Sequence, residues 1–192
     1  GKNEESAIYI ERAEEGIKRL NLILTNMSEA TRLEQMLQTS EKEKIDLNKV
    51  VHGCVEGYKL AYPEANFERD APECSILISG VPEYIAQLLD KLVANAVEFS
   101  YKDQPITVYC RTLRDHAVVK IINAGPFLPE EMKDRLFESM ISVRPQEKQK
   151  QPHLGIGLHI ARIIADFHGG QISAENRLDK EGVIITLVVP LF

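Results

Sequence analysis

Ile106-Thr107-Val108-Tyr109-Cys110-Arg111 and Ala117-Val118-Val119-Lys120-Ile121-Ile122 are two alternating runs separated by Leu113-Arg114-Asp115-His116. A period of two puts every second side chain on one face of a pleated strand, and so short a polar connection joins neighbours antiparallel, which predicts a β-hairpin. A second hairpin closes the chain, residues 171–176 and 183–189 across Arg177-Leu178-Asp179-Lys180-Glu181-Gly182. Around them the period lengthens. Residues 83–99, opened by Pro82, carry Ile85, Leu88, Leu89, Leu92, Val93 and Ala96 at helical spacing. Residues 47–62 form a helix capped by Asp46 and ended near Pro63, and residues 156–167 form one that stops at His168-Gly169-Gly170, with Gly169 as a left-handed cap. Helices mixed with strand pairs on short turns predict an α+β fold, a mixed, mainly antiparallel sheet with helices on one face.

The remaining segments are plainer. Short strands are expected at 66–69 and 75–78, joined by Asp70-Ala71-Pro72-Glu73, and a short helix from Pro129 to about Phe137. Residues 142–152, charged and glutamine-rich without apolar period, read as a mobile loop. At the other end, residues 6–38 contain no proline and carry a stripe of Ile10, Ala13, Ile17, Leu20, Leu24 and Met27, widened by Ile23, Ala30 and Leu37. About thirty helical residues span about 45 Å, too long to bury in one small domain, so this helix is expected to join a bundle with other helices. The polar Thr39-Ser40-Glu41-Lys42-Glu43-Lys44 reads as a linker, which divides the chain into 1–40 and 41–192.

A 192-residue chain with 44% hydrophobic residues can bury a real core. Its net charge of -6, with no long Lys/Arg cluster, argues against a nucleic-acid partner. Cys54, Cys74 and Cys110 are far apart and fit unpaired thiols rather than zinc ligands. No apolar run reaches the ~18 residues of a membrane span. Gly1-Lys2-Asn3-Glu4-Glu5 running into a helix already under way reads as part of a longer protein.

One loop points to chemistry. His153-Leu154-Gly155-Ile156-Gly157-Leu158 leads straight into a helix, and two glycines there let the backbone approach an anion while the helix's first N–H groups face it. Alone, the pair fits a phosphate cradle or a tight packing turn. On another helix Lys91, Asn95 and Glu98 project from one side.

Four stretches in this order carry a resemblance: Gln87 to Ser100 with Asn95, Asn123-Ala124-Gly125-Pro126-Phe127-Leu128-Pro129, Phe137-Glu138-Ser139-Met140, and Gly155-Ile156-Gly157-Leu158. They resemble the N box, first glycine box, F box and second glycine box of the ATP-binding catalytic domain of sensor histidine kinases, within the superfamily shared with gyrase-type ATPases. The resemblance runs from about Leu47 to the C-terminus. The long first helix, with Arg32-Leu33-Glu34 near its end, resembles the second helix of the kinase dimerisation hairpin. Within the family the chain looks most like the kinases of proteobacterial dedicated sortase systems.

The resemblance implies a sandwich fold shared with those ATPases, ATP and Mg²⁺ as ligands, and an ATP site built from Lys91, Asn95, Phe99, Asn123, Gly125, Arg144, Gly155, Gly157 and Leu158. Asn95 is the implied Mg²⁺ ligand, a neutral hard oxygen. Asn123 stands where the family has an aspartate that accepts from the adenine amine, so the base contact here is uncharged. Lys91 either pairs with Glu98 or reaches a phosphate, and Phe99 packs near the nucleotide or in the core. Phe127 and His153 replace family glycines. Lysines 148 and 150 with Arg144 are candidate triphosphate clamps. The implied activity is transfer of the γ-phosphoryl to a histidine on a helix absent from this chain, since His52, His116, His153, His159 and His168 do not match the acceptor position. Implied partners are a second copy, through the bundle, and a response regulator, with the membrane reached only through missing segments of an inner-membrane parent. Two other readings stay open: a degenerate nucleotide-binding or scaffolding module, and a gyrase-type ATPase. The latter is disfavoured by Lys91, which occupies the place of that group's water-activating glutamate.

Overall fold

The computed structural model describes residues 2–133, 135–138 and 156–192. The chain opens with α1 (Lys2–Thr39), then β1 (Glu43–Asp46), α2 (Leu47–Ala61), β2 (Phe67–Asp70), β3 (Leu77–Gly80) and α3 (Pro82–Phe99). The hairpin β4 (Ile106–Leu113) and β5 (His116–Asn123) follows, then a 3-10 turn at Glu130–Met132, α4 (Ile156–Phe167), β6 (Gln171–Asn176) and β7 (Val183–Pro190).

Five strands form one sheet in the order β2-β4-β5-β7-β6, antiparallel except where β2 runs parallel to β4. Both expected hairpins are present in register, with Leu113 opposite His116 and Asn176 opposite Val183. Alternation decides the faces. Ile106, Val108 and Cys110 of β4, Val119 and Ile121 of β5, and Ile185 and Leu187 of β7 are buried beneath α2, α3 and α4. The helices answer with Val51 and Val55, with Ile85, Leu88, Leu89 and Leu92, and with Ile160 and Ile164, all at most 1% exposed. Burial raises the Cys110 thiol to about 11, so it is an inert core residue.

Three local expectations are corrected. The polar linker is shorter than drawn, because Glu43–Asp46 is a strand that pairs antiparallel with β3 in a separate two-stranded sheet. Consequently β2 and β3 do not pair with each other across Asp70-Ala71-Pro72-Glu73. Among the described residues the segment after Pro129 forms no α-helix but the 3-10 turn Glu130–Met132, with further turns to Glu138, and Leu136 and Phe137 are buried. Residues 142–152, expected as a mobile loop, lie outside the described residues.

Helix ends are set as the sequence suggests. Asp46 caps α2 by accepting from the Asn48 N–H at 3.1 Å, and the same oxygen accepts from the Ile76 N–H at 3.1 Å. α4 ends in a Schellman motif, with Gly169 at φ +70° and the Gly170 N–H on the Ala165 carbonyl at 2.9 Å. His168, 5% exposed, ties that end to the start of α3: its Nδ1 lies 2.7 Å from the Ile164 carbonyl, and the Val81 N–H donates to its Nε2 at 3.1 Å. Those partners fix a neutral ring with Nδ1–H as donor, and burial depresses its pKa below the usual value. From α1, Leu33 and Leu37 enter the core, while Ile10, Ile17, Leu20, Leu24 and Met27 of its stripe are 49–65% exposed. No described helix is long and apolar enough to cross a membrane.

Candidate functional site

Lys91, Asn95 and Phe99 recur every four residues on α3, so they leave one side of the helix. From first to last they rise about 12 Å along its axis. The sheet meets this stripe at its C-terminal end, and α4 meets it at the other.

At the sheet end the loop after β5 runs against the last turn of α3. A Cβ at Gly125 would stand 2.1 Å from the Phe99 carbonyl oxygen and 3.1 Å from Asn123 Nδ2, so only glycine permits this approach. The Tyr101 N–H donates to the Ala124 carbonyl at 2.8 Å and holds the two segments together. Asn123, the last residue of β5, is 5% exposed, and its amide nitrogen is buried with no hydrogen-bond partner among the described residues. Phe99 is 37% exposed and Phe127 50%.

At the other end Gly157, in the first turn of α4, faces the stem of Lys91. A Cβ there would lie 3.6 Å from Lys91 Cδ, an ordinary contact, so packing against the described residues does not demand glycine at 157. The Lys91 ammonium lies 3.3 Å from a Glu29 carboxylate oxygen of α1. Asn95 donates its amide N–H to the Lys91 carbonyl at 2.8 Å, which fixes the side chain and leaves Oδ1 as an acceptor. Among the described residues no group of three or more His, Cys, Asp or Glu side chains could gather a metal ion. The donor that remains, one neutral oxygen, suits Mg²⁺ only in company with oxygens of a bound phosphate, which is how that ion is commonly held.

The structure therefore brings Gly157 to Lys91, which is bonded to Asn95, at one end of the α3 stripe, and Phe99, Asn123 and Gly125 together at the other. Leu158 lies in the core, 5% exposed. Arg144 and Gly155, with Lys148, Lys150 and His153, lie outside the described residues. Two contributors escape sequence reading. Glu29 reaches Lys91 from a helix 62 positions earlier, and nothing in its local sequence marks it. Asn176 holds the loop after Gly125 by accepting from the Leu128 N–H at 2.7 Å and donating to the Leu128 carbonyl at 2.8 Å. An asparagine at a strand end is its only signal.

Residues 80–192 match the family described as histidine kinase-, DNA gyrase B-, and HSP90-like ATPase. The sensor protein ChvG of Rhizobium meliloti (strain 1021) is 31% identical over 193 residues, which is 95% of this chain and 33% of that protein. The chain thus spans about a third of the length of such curated relatives. Among solved structures, the catalytic domain of the histidine kinase ThkA is 26% identical with a TM-score of 0.67 over 79% of this chain and 96% of that one. Full-length ShkA in complex with AMPPNP shares the fold, with a TM-score of 0.70 at 15% identity over 97% of this chain and 39% of that one.

Proposed function

Because the chain belongs to the histidine kinase-, DNA gyrase B- and HSP90-like ATPase family, on the sensor histidine kinase side of it, we propose that it is the catalytic portion of a two-component sensor kinase. In this reading it binds Mg-ATP along α3 and passes the γ-phosphoryl to a histidine on a helix that this chain does not carry. The observation behind it is the α3 stripe, with a buried polar edge at one end and, at the other, a glycine that packing against the described residues does not require.

Asn123, Gly125 and Phe99 receive the base. Lys91 and Arg144 meet phosphate oxygens, and Gly155 and Gly157 open the first turn of α4 so that its N–H groups face the same anion. Asn95 holds Mg²⁺, which when bound neutralises charge on the triphosphate oxygens. An acceptor imidazole nitrogen forms the new bond to the γ-phosphorus as the bond to the β-phosphate oxygen breaks and ADP departs. The chain's own work in that step is positioning and exclusion of water. The exposed stripe of α1 packs against a second copy in a four-helix bundle, a response regulator takes the phosphoryl group, and this portion faces the cytoplasm from an inner-membrane parent. By itself the chain binds nucleotide without phosphorylating itself.

Calorimetric titration with a non-hydrolysable ATP analogue, with and without Mg²⁺, tests the reading on this chain and on Asn95→Ala. Magnesium-dependent binding that Asn95→Ala loses is the expected result. No binding by the intact chain at millimolar nucleotide refutes it and favours a degenerate module, to which the uncharged Asn123 and the engaged Lys91 would then belong.

A further inference from the structure

Two ties lay the end of α1 along α3. Ser40 Oγ, just past α1, lies 3.0 Å from Tyr84 Oη in the first turn of α3, and the Lys91 ammonium lies 3.3 Å from Glu29 Oε1. Residue numbers fall along one helix as they rise along the other, so the two run antiparallel here. Between the ties Leu33 and Leu37 are buried, and with Glu29 they recur every four residues on one face of α1. At about 3.6 residues per turn that face stands roughly opposite the exposed Ile10, Ile17 and Leu24, so a second copy seated on those residues leaves Glu29 at Lys91. The stem of Lys91 in turn lies against Gly157 at the start of α4. The Glu29 carboxylate therefore stands at the end of the stripe where phosphate is proposed to bind.

Resting on the nucleotide reading above, we infer that Glu29 is a tethered competitor for the lysine that meets the triphosphate, so that docking of α1 lowers the domain's own affinity for nucleotide. Lys91 is one charge with two claimants. Its ammonium is held by Glu29 until a phosphate oxygen takes that place, and the pairing must be given up for the phosphate contact to form. Asp90, its neighbour in sequence, makes no such claim, because its carboxylate accepts from Tyr58 Oη of α2 at 2.7 Å. Linkage makes the coupling reciprocal: nucleotide weakens the hold of Glu29 on Lys91 by the factor by which Glu29 weakens nucleotide binding. Occupancy of the site is thus felt by α1, the helix proposed to carry dimerisation. A half-solvated ion pair of this kind is worth up to about fivefold in an equilibrium constant.

The test titrates a non-hydrolysable ATP analogue with Mg²⁺ into the chain, Glu29→Gln, Glu34→Gln, Lys91→Met and the double variant Glu29→Gln with Lys91→Met, with a melting curve to check each fold. Glu29→Gln should bind about two- to fivefold more tightly than the parent. Glu34→Gln, which removes the same charge from another face of α1, should bind like the parent. Lys91→Met should bind more weakly, and the gain from Glu29→Gln should shrink on that background, the non-additivity expected of two residues in direct contact. Equal affinity of the chain and Glu29→Gln, an equal gain from Glu34→Gln, or an undiminished gain without Lys91 overturns the competition and leaves the nucleotide reading standing. Failure of the chain to bind the analogue sinks both.

Discussion

Two glycines of the candidate site make opposite demands on the fold, and replacing each with alanine separates packing from ligand binding. At Gly125 the new methyl would sit 2.1 Å from the Phe99 carbonyl oxygen and 3.1 Å from the Phe99 carbonyl carbon, where ordinary contact begins near 3.4 Å. Both are backbone atoms at the end of an 18-residue helix, and the Tyr101 to Ala124 hydrogen bond stops the two segments from parting freely. The loop or the helix end must therefore move by about 1 Å. Overpacking of this kind costs about 1–3 kcal/mol, and a clash with backbone belongs at the upper end. At about 2–4 °C per kcal/mol for a chain of this size, Gly125→Ala should melt about 6–12 °C below the parent.

Gly157→Ala meets only the flexible stem of Lys91 at 3.6 Å and gains helix propensity, so its melting temperature should be unchanged or slightly raised. Its deficit should appear in nucleotide binding, because the methyl intrudes where the backbone is proposed to face phosphate. Thermal melts followed by circular dichroism, paired with titration of the ATP analogue, read both quantities. If Gly125→Ala melts with the parent, or if Gly157→Ala is the destabilised member of the pair, the steric reasoning is wrong.

Two further outcomes concern pH and capping. His168 has a folded pKa held below 6.5, first by burial, so the unfolded chain binds its proton more readily, and stability present above about pH 6.5 is lost as pH falls toward the folded value; melts between pH 7.5 and 5 should show that decline, and His168→Gln should flatten it. For Asp46, burial alone would raise the carboxyl, but hydrogen bonds from the Ser75 hydroxyl and the N–H groups of Ile76, Lys49 and Asn48 outweigh it and hold the pKa below 3.8. Its contribution is therefore present above about pH 3.8 and lost as pH falls through the folded value; Asp46→Ala should cost about 1 kcal/mol in denaturant titration at pH 7 and lack that acid limb.

Sequence periodicity found what carries its own period. The two hairpins and α2, α3 and α4 were legible because each has one apolar face wide enough to announce strand or helix, and Asp46 and Gly169 mark ends by local chemistry alone. β1 was not legible: Glu43-Lys44-Ile45-Asp46 has a single apolar residue, and it becomes a strand only because Ile45 lies opposite Ile78 of β3. β2 was legible as a short strand over 66–69, but not its pairing, since its four residues find their partner 39 positions away, from Phe67 to Ile106. After Pro129 the described residues form a 3-10 turn where a helix was expected, and the buried Leu136 and Phe137 follow it. In the site, residue types and spacing along α3 were readable, since an i, i+4 stripe is a property of one helix. The clamp by Asn176 and the pair with Glu29 are products of tertiary closure and leave no local trace.

That pair bears on how the long helix is joined to the site. Lys91 and Glu29 are 31% and 43% exposed in their side chains, and a half-solvated ion pair at 3.3 Å contributes at most about 1 kcal/mol. Leu33 and Leu37, buried to 5% and 6% exposure further along the same helix, contribute about 1.5–3 kcal/mol each. The end of α1 is thus held on the domain by apolar packing, and the ion pair adds little to that hold. Lys91 can exchange Glu29 for a phosphate oxygen at small cost, and α1 would stay docked through the exchange. The residue at the proposed phosphate end is in this way available to ligand while still in contact with the helix proposed to carry dimerisation.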